Sequence, residues 1–110
     1  MADALKVAHN QVTDASGEKL IDGAGGDYVY TVLSISLCNT HASNDETFSI
    51  WINDDDGGTL RYIYDTQSLP AHSTFIHSDK IVLLASDSLN IGSPSASATI
   101  DVVVSYLEQS

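Results

Sequence analysis

Basic residues are scarce: Lys and Arg number 4 against 15 Asp and Glu in 110 residues, a formal net charge of −11, with a pI near 4.2. A partner of phosphate backbones or anionic lipid needs a basic face, so nucleic acid and membrane surfaces are excluded as partners. Cysteine is nearly missing as well. Cys38 stands alone, which excludes an intrachain disulfide and leaves stability to packing, oligomerisation or both. Long apolar runs are absent: nothing approaches the ~20 residues that cross a bilayer. The first twenty residues carry no secretory signal of a basic start followed by an apolar run, so synthesis and folding in a cytoplasm are expected. No repeat at solenoid spacing occurs. What is present is a core-forming chain, 43% hydrophobic, unlike an acidic disordered tail. Its length is that of one domain, residues 1–110, burying roughly two thirds of its unfolded surface.

Strand signals dominate that domain. Ser and Thr total 23, and β-branched residues crowd the apolar runs, a composition that suits pleated sheet. Residues 28–39 read YVYTVLSISLCN, with Leu33, Ile35 and Leu37 alternating with Ser34, Ser36 and Cys38. Residues 47–53 place Phe48, Ile50 and Ile52 opposite Ser49 and Trp51, and the run 98–107 places Ile100, Val102, Val104 and Tyr106 opposite Asp101, Val103 and Ser105. A period of two gives each strand one oily face. Shorter strands are expected at 60–64, 74–77, 81–85 and 88–91, between breaks rich in Gly, Pro, Asn, Asp and Ser. Further strands are candidates at 5–12 and 18–21. The segment 13–27 holds four of the seven glycines, so residues 1–27 read as a flexible or arm-like N-terminal piece. The expectation is an all-β, antiparallel, jelly-roll-like β-sandwich of about eight short strands. An immunoglobulin-like order predicts the same alternation.

Candidate chemistry is thin. The cluster NDDDGG sets Asp54, Asp55 and Asp56 before two glycines, a conceivable Ca²⁺ turn. Its oxygen spacing fails the helical calcium loop and no Glu closes it, so a solvated hairpin turn is the expectation. Asn44, Asp45 and Glu46 form a second acidic cluster, which would add a ligand only if the two clusters shared a sheet end. His9, His41, His72 and His77 lack zinc spacing. Cys38 sits on a small-residue face with no catalytic motif around it, where a thiol packs as a small hydrophobe. No metal, cofactor or catalytic residue is assigned, and no enzyme is expected. Trp51 points away from the oily face of its strand, and Tyr62 and Tyr64 share a face of the next. Paired as a hairpin, these three make a candidate aromatic face for a protein or glycan partner.

The order of motifs carries one resemblance. An apolar strand ending in CNT (Cys38, Asn39, Thr40) enters a polar loop. A strand bearing an aromatic follows, then a Leu-Pro-Ala step (Leu69, Pro70, Ala71), then a Val-rich closing strand. Over about three quarters of the chain this resembles small virion proteins of tailed bacteriophages, with GAGG at 23–26 where those proteins carry a Pro-Ala-Gly step. The resemblance implies a β-sandwich acting as a structural or accessory piece of the virion, a capsid decoration (cement) protein first and a neck or tail component second. It further implies other virion proteins as partners and a homo-oligomer, a trimer first. The alternative is a glycan- or receptor-binding module using Trp51, Tyr62 and Tyr64.

Overall fold

A computed structural model describes residues 3–12, 18–22, 28–54, 59–84, 86–93 and 100–109. Among these described residues nine strands run in chain order: β1 (Asp3–Val12), β2 (Glu18–Asp22), β3 (Val29–Asn39), β4 (Glu46–Asp54), β5 (Thr59–Leu69), β6 (Thr74–His77), β7 (Ile81–Leu83), β8 (Ser88–Gly92) and β9 (Ile100–Gln109). Among the described residues there is no helix. All strand pairings are antiparallel. The sheets are a five-stranded one, β1-β9-β3-β6 with β7 also on β3, and a four-stranded one, β2-β8-β4-β5.

The first strand pairs with the last and the second with the eighth, so hairpins wrap around a barrel-like core. This is jelly-roll order, with β6 and β7 as two halves of one interrupted strand along β3. An immunoglobulin-like order, in which the second strand neighbours the first and the fifth, is not what forms. Within the segment expected to be arm-like, 3–12 and 18–22 are strands that contribute Val12, Leu20 and Ile21 to the core. The remainder of that segment, 13–17 and 23–27, lies outside the described residues.

Alternation explains most of the core. Phe48 and Ile50 of β4, and Ile100, Val102 and Val104 of β9, are fully buried. Each such side chain contributes roughly 1.5–3 kcal/mol relative to exposure. Strand β8 is buried at all five positions, lying between β2 and β4. One expectation fails. Leu33 does not share the face of Ile35 and Leu37, because the register of β3 on β9 shifts between Val32 and Ser34. One extra residue reverses which side chains face the core. Tyr30, Val32, Ile35 and Leu37 therefore point inward, and Leu33 is left half-buried.

Candidate functional site

Of the three expected aromatics, the structure keeps two together. Trp51 pairs in register with Tyr62 on β5, and their ring centroids lie 5.6 Å apart at 39°. Tyr62 is exposed and Trp51 half-buried on the solvent side of the four-stranded sheet. Tyr64 is elsewhere. Ile50 pairs with Tyr64 and Trp51 with Tyr62, so Ile63 is an extra residue that turns Tyr64 onto the inner side. There Tyr64 meets Phe75 at 5.0 Å and Phe48 at 5.9 Å. Its hydroxyl is 2.7 Å from Nδ1 of the buried His77. Strict period-two counting put Tyr62 and Tyr64 on one face; the bulge separates them.

A second irregularity lies three residues on. Ser49 of β4 stands opposite two residues of β5, Asp65 and Thr66, between the pairs Phe48–Gln67 and Ile50–Tyr64. Thr66 takes φ 54°, a left-handed conformation unfavourable for a β-branched residue. Its backbone N–H donates to Ser49 Oγ at 2.9 Å, which satisfies a donor that the bulge removes from the ladder.

The CNT and Leu-Pro-Ala segments meet at one end of the sandwich and form a clasp. Asn39 is fully buried. Its Nδ2 donates to the carbonyls of Asn44 and Leu69 at 2.9 and 3.0 Å, and its Oδ1 accepts from the His41 N–H at 3.0 Å. Its own N–H donates to the Ser73 carbonyl at 3.0 Å. Asp45 Oδ1 accepts from the Ala71 N–H at 3.0 Å. His41 Nδ1 accepts from the N–H groups of Ser43 and Asn44 at 3.1 and 2.9 Å. Two donors converging on Nδ1 require that nitrogen to carry no proton, so the ring's hydrogen sits on Nε2. The motif residues thus tie β3, the 40–45 loop and the end of β5 together. Their chemistry here is structural.

The remaining candidates are dispersed. Asp55, Asp56 and both glycines of NDDDGG lie outside the described residues; Asn53 and Asp54 end β4. Glu46 is buried, and no hydrogen-bond partner reaches its Oε2 among the described residues. His9 is exposed on β1, while His72 occupies the turn after β5 at φ 58°. Cys38 is half-buried on the outer side of β3. Among the described residues, no three of His, Cys, Asp and Glu come together as a group that can hold a metal ion. Nor does any helix there have the length and apolarity to cross a membrane.

What sequence reasoning missed is the outer face of the five-stranded sheet. The outward positions of β1, β9, β6 and β7 and the residue after β7 carry Leu5, Val7, Val103, Ile76, Val82 and Leu84, between 42% and 78% exposed. Leu5, Val7 and Leu33, with Lys6, Ser105 and Tyr106, also line an open groove of about 370 Å³. The signal was legible in part: Val103 and Leu107 interrupt the otherwise polar outward row of β9, and Leu5 and Val7 occupy alternate positions of β1.

No protein-family model matches the chain, and no curated protein matches it. Solved structures do. A chain from the Bacillus endospore appendages, described as a novel family of disulfide-linked pili, is similar at 11% identity with a TM-score of 0.54, over 99% of this chain and 87% of that one. Looser likenesses extend to infectious bursal disease virus, Gx strain, and to Eiger TNF from S. frugiperda. The viral chain is 11% identical with a TM-score of 0.44, over 97% of this chain and 28% of that one. The second is 13% identical with a TM-score of 0.42, over 96% and 92%. At such identities the likeness is one of fold. The class defined here is the all-β, jelly-roll sandwich.

Proposed function

We propose that this chain is a structural protein of a bacteriophage virion, a decoration or cement protein that binds the capsid and stabilises it through protein–protein contacts. A neck or tail position is the neighbouring form of the same reading. The observation that carries it is the aliphatic outer face of the five-stranded sheet in a chain of net charge −11. Exposed aliphatic side chains gathered on one face mark an interaction site, and a strongly negative net charge keeps free subunits soluble and away from packaged DNA. The acidic remainder suits docking on a basic patch of a shell. The likeness to a chain of pilus-forming appendages is a likeness to a protein that assembles, and the motif order of the sequence points to virions. No catalytic role is proposed.

The test is to mix the purified protein with empty capsids and separate the mixture on a gradient. Saturable co-migration, with capsids that withstand more heat or denaturant, is the expected result. A chain that stays at the top of the gradient at every concentration refutes the reading. The Trp51–Tyr62 pair, on the solvent side of its sheet with Tyr62 exposed and Trp51 half-buried, favours one other reading, a glycan- or receptor-binding module. With Tyr64 turned inward it has two rings to offer. It predicts glycan binding that Trp51→Ala abolishes with the fold intact, and a glycan array without a hit removes it.

A further inference from the structure

We propose that the outer face of the five-stranded sheet binds the same face of a second copy of this chain, forming a sheet-on-sheet dimer. The inference rests on the reading of the chain as an assembling subunit and names the partner of that same face.

The shape of the face is the first support. Register across β1, β9, β3, β6 and β7 sorts its side chains into rows. Leu5, Leu107, Thr31 and Val82 form one, and His9, Val103, Ser36 and Ile76 another. Along β3 the outward positions carry Val29 and Thr31 before the bulge, Leu33 in the groove beside Leu5 and Val7, and then the small Ser34, Ser36 and Cys38, all half-buried. From Ser34 to Cys38 a trough of small side chains therefore runs between Val103 of β9 and Ile76 of β6. Two such faces related by a two-fold axis can set an aliphatic side chain of each copy in the trough of the other, as residue contacts in an isologous interface are reciprocal. This is how the two inner faces of a sandwich interdigitate, about 10 Å apart.

Area is the second support. Four strands abreast at ~4.8 Å and ten residues at ~3.4 Å give roughly 650 Å² for one face, about 1,300 Å² when two are covered. A specific, stable complex buries about 1,200–2,000 Å² in total, so the whole face of each copy is needed and is enough.

Charge is the third. The chain carries 15 acidic residues, yet among the described residues the outward strand positions of this face hold only Asp3 and Asp101 of them. They occupy opposite ends of the rows, Asp3 across from Gln109 and Asp101 across from Gln11. Two copies of like charge repel least through the side that carries least of it, and desolvating Leu, Val, Ile, Ser and Thr at the centre buries no ion there, Asp3 and Asp101 lying at the rim. An isologous contact closes at two, so the contact makes a dimer, in place of the trimer that the resemblance implies.

Solution mass tests this. Light scattering and sedimentation equilibrium on the full chain should give twice 11.7 kDa. Val103→Lys and Ile76→Lys, made separately, should each weaken dimerisation at least tenfold while leaving the circular dichroism spectrum unchanged. Tyr62→Lys, on the opposite sheet, should leave the dimer intact. A wild-type monomer at ~100 µM overturns the proposal, since it denies the area-based expectation of a stable pair. So does a dimer that survives both lysines and dissolves with Tyr62→Lys. The two readings fail separately. A monomer that still coats empty capsids puts a shell protein on this face and leaves the virion reading standing. A lysine-sensitive dimer that ignores capsids upholds the face and removes the virion.

Discussion

Removing the Tyr64 hydroxyl isolates one interaction of known geometry. That hydroxyl is 2.7 Å from His77 Nδ1. The His77 side chain is 9% exposed, and no hydrogen-bond partner reaches its Nε2 among the described residues. Tyr64→Phe keeps the ring contacts with Phe48 and Phe75 and strands a buried imidazole. The cost of leaving such a group unmet is about 1–3 kcal/mol. Because the bond is only part-buried, the lower part of that range applies, about 1–2 kcal/mol. For a chain of 110 residues, unfolding entropy of about 2.1 cal/mol/K per residue sums to about 0.23 kcal/mol/K, so Tm should fall by about 4–9 °C. The assay is thermal unfolding by circular dichroism at one fixed protein concentration, because self-association shifts Tm by mass action. The double-mutant cycle gives the sharper reading. In a His77→Leu background no imidazole is left to strand, so Tyr64→Phe should cost under ~0.5 kcal/mol. An equal drop in both backgrounds, or no drop in the wild-type one, refutes the assignment of this bond as the partner of His77.

Asn39→Ala deletes three hydrogen bonds around a fully buried side chain and should cost about 3 kcal/mol or more, read as a lowered urea midpoint at unchanged m-value; a loss under ~1 kcal/mol contradicts the clasp. Thr66→Asn should stabilise by about 0.5–1 kcal/mol, since Asn tolerates the left-handed φ that Thr66 holds at 54° and the bond to Ser49 uses the backbone N–H. A lower Tm would show that the threonine side chain matters more than its backbone strain. Lys6→Ala breaks an ion pair with Glu108 that is 3.9 Å long and open to solvent, and stability should move by no more than ~0.5 kcal/mol. A larger loss in denaturant titration would mean that the lysine stem, packed along the groove, contributes more than its charge.

The sandwich was legible because alternation along β3, β4 and β9 records burial directly: a residue either faces the other sheet or faces water. The jelly-roll order was legible only as one of two choices, since alternation reports faces and says nothing of neighbours. Bulges are where the reading broke. At Leu33 and again at Ile63 one extra residue reverses the faces beyond it, and no residue type at either place announces it; neither is glycine or proline. Tyr64 was misplaced for that reason alone. Asn39 and the Leu-Pro-Ala step stood out as a pattern, and their physical content, a clasp of buried hydrogen bonds joining residues thirty apart in sequence, needed three dimensions. The aliphatic outer face was half visible in Leu5, Val7 and Val103. Its other half comes from Ile76 and Val82, on short strands whose pairing with β3 no local signal gives.

The central claim is that this chain is a repeated structural part of a virus particle. Quantitative mass spectrometry of gradient-purified virions tests it most directly. The account predicts the chain in the particle fraction at a copy number comparable with the major capsid protein. Its absence from purified particles, with all of it recovered in the soluble fraction of lysed cells, would contradict the account.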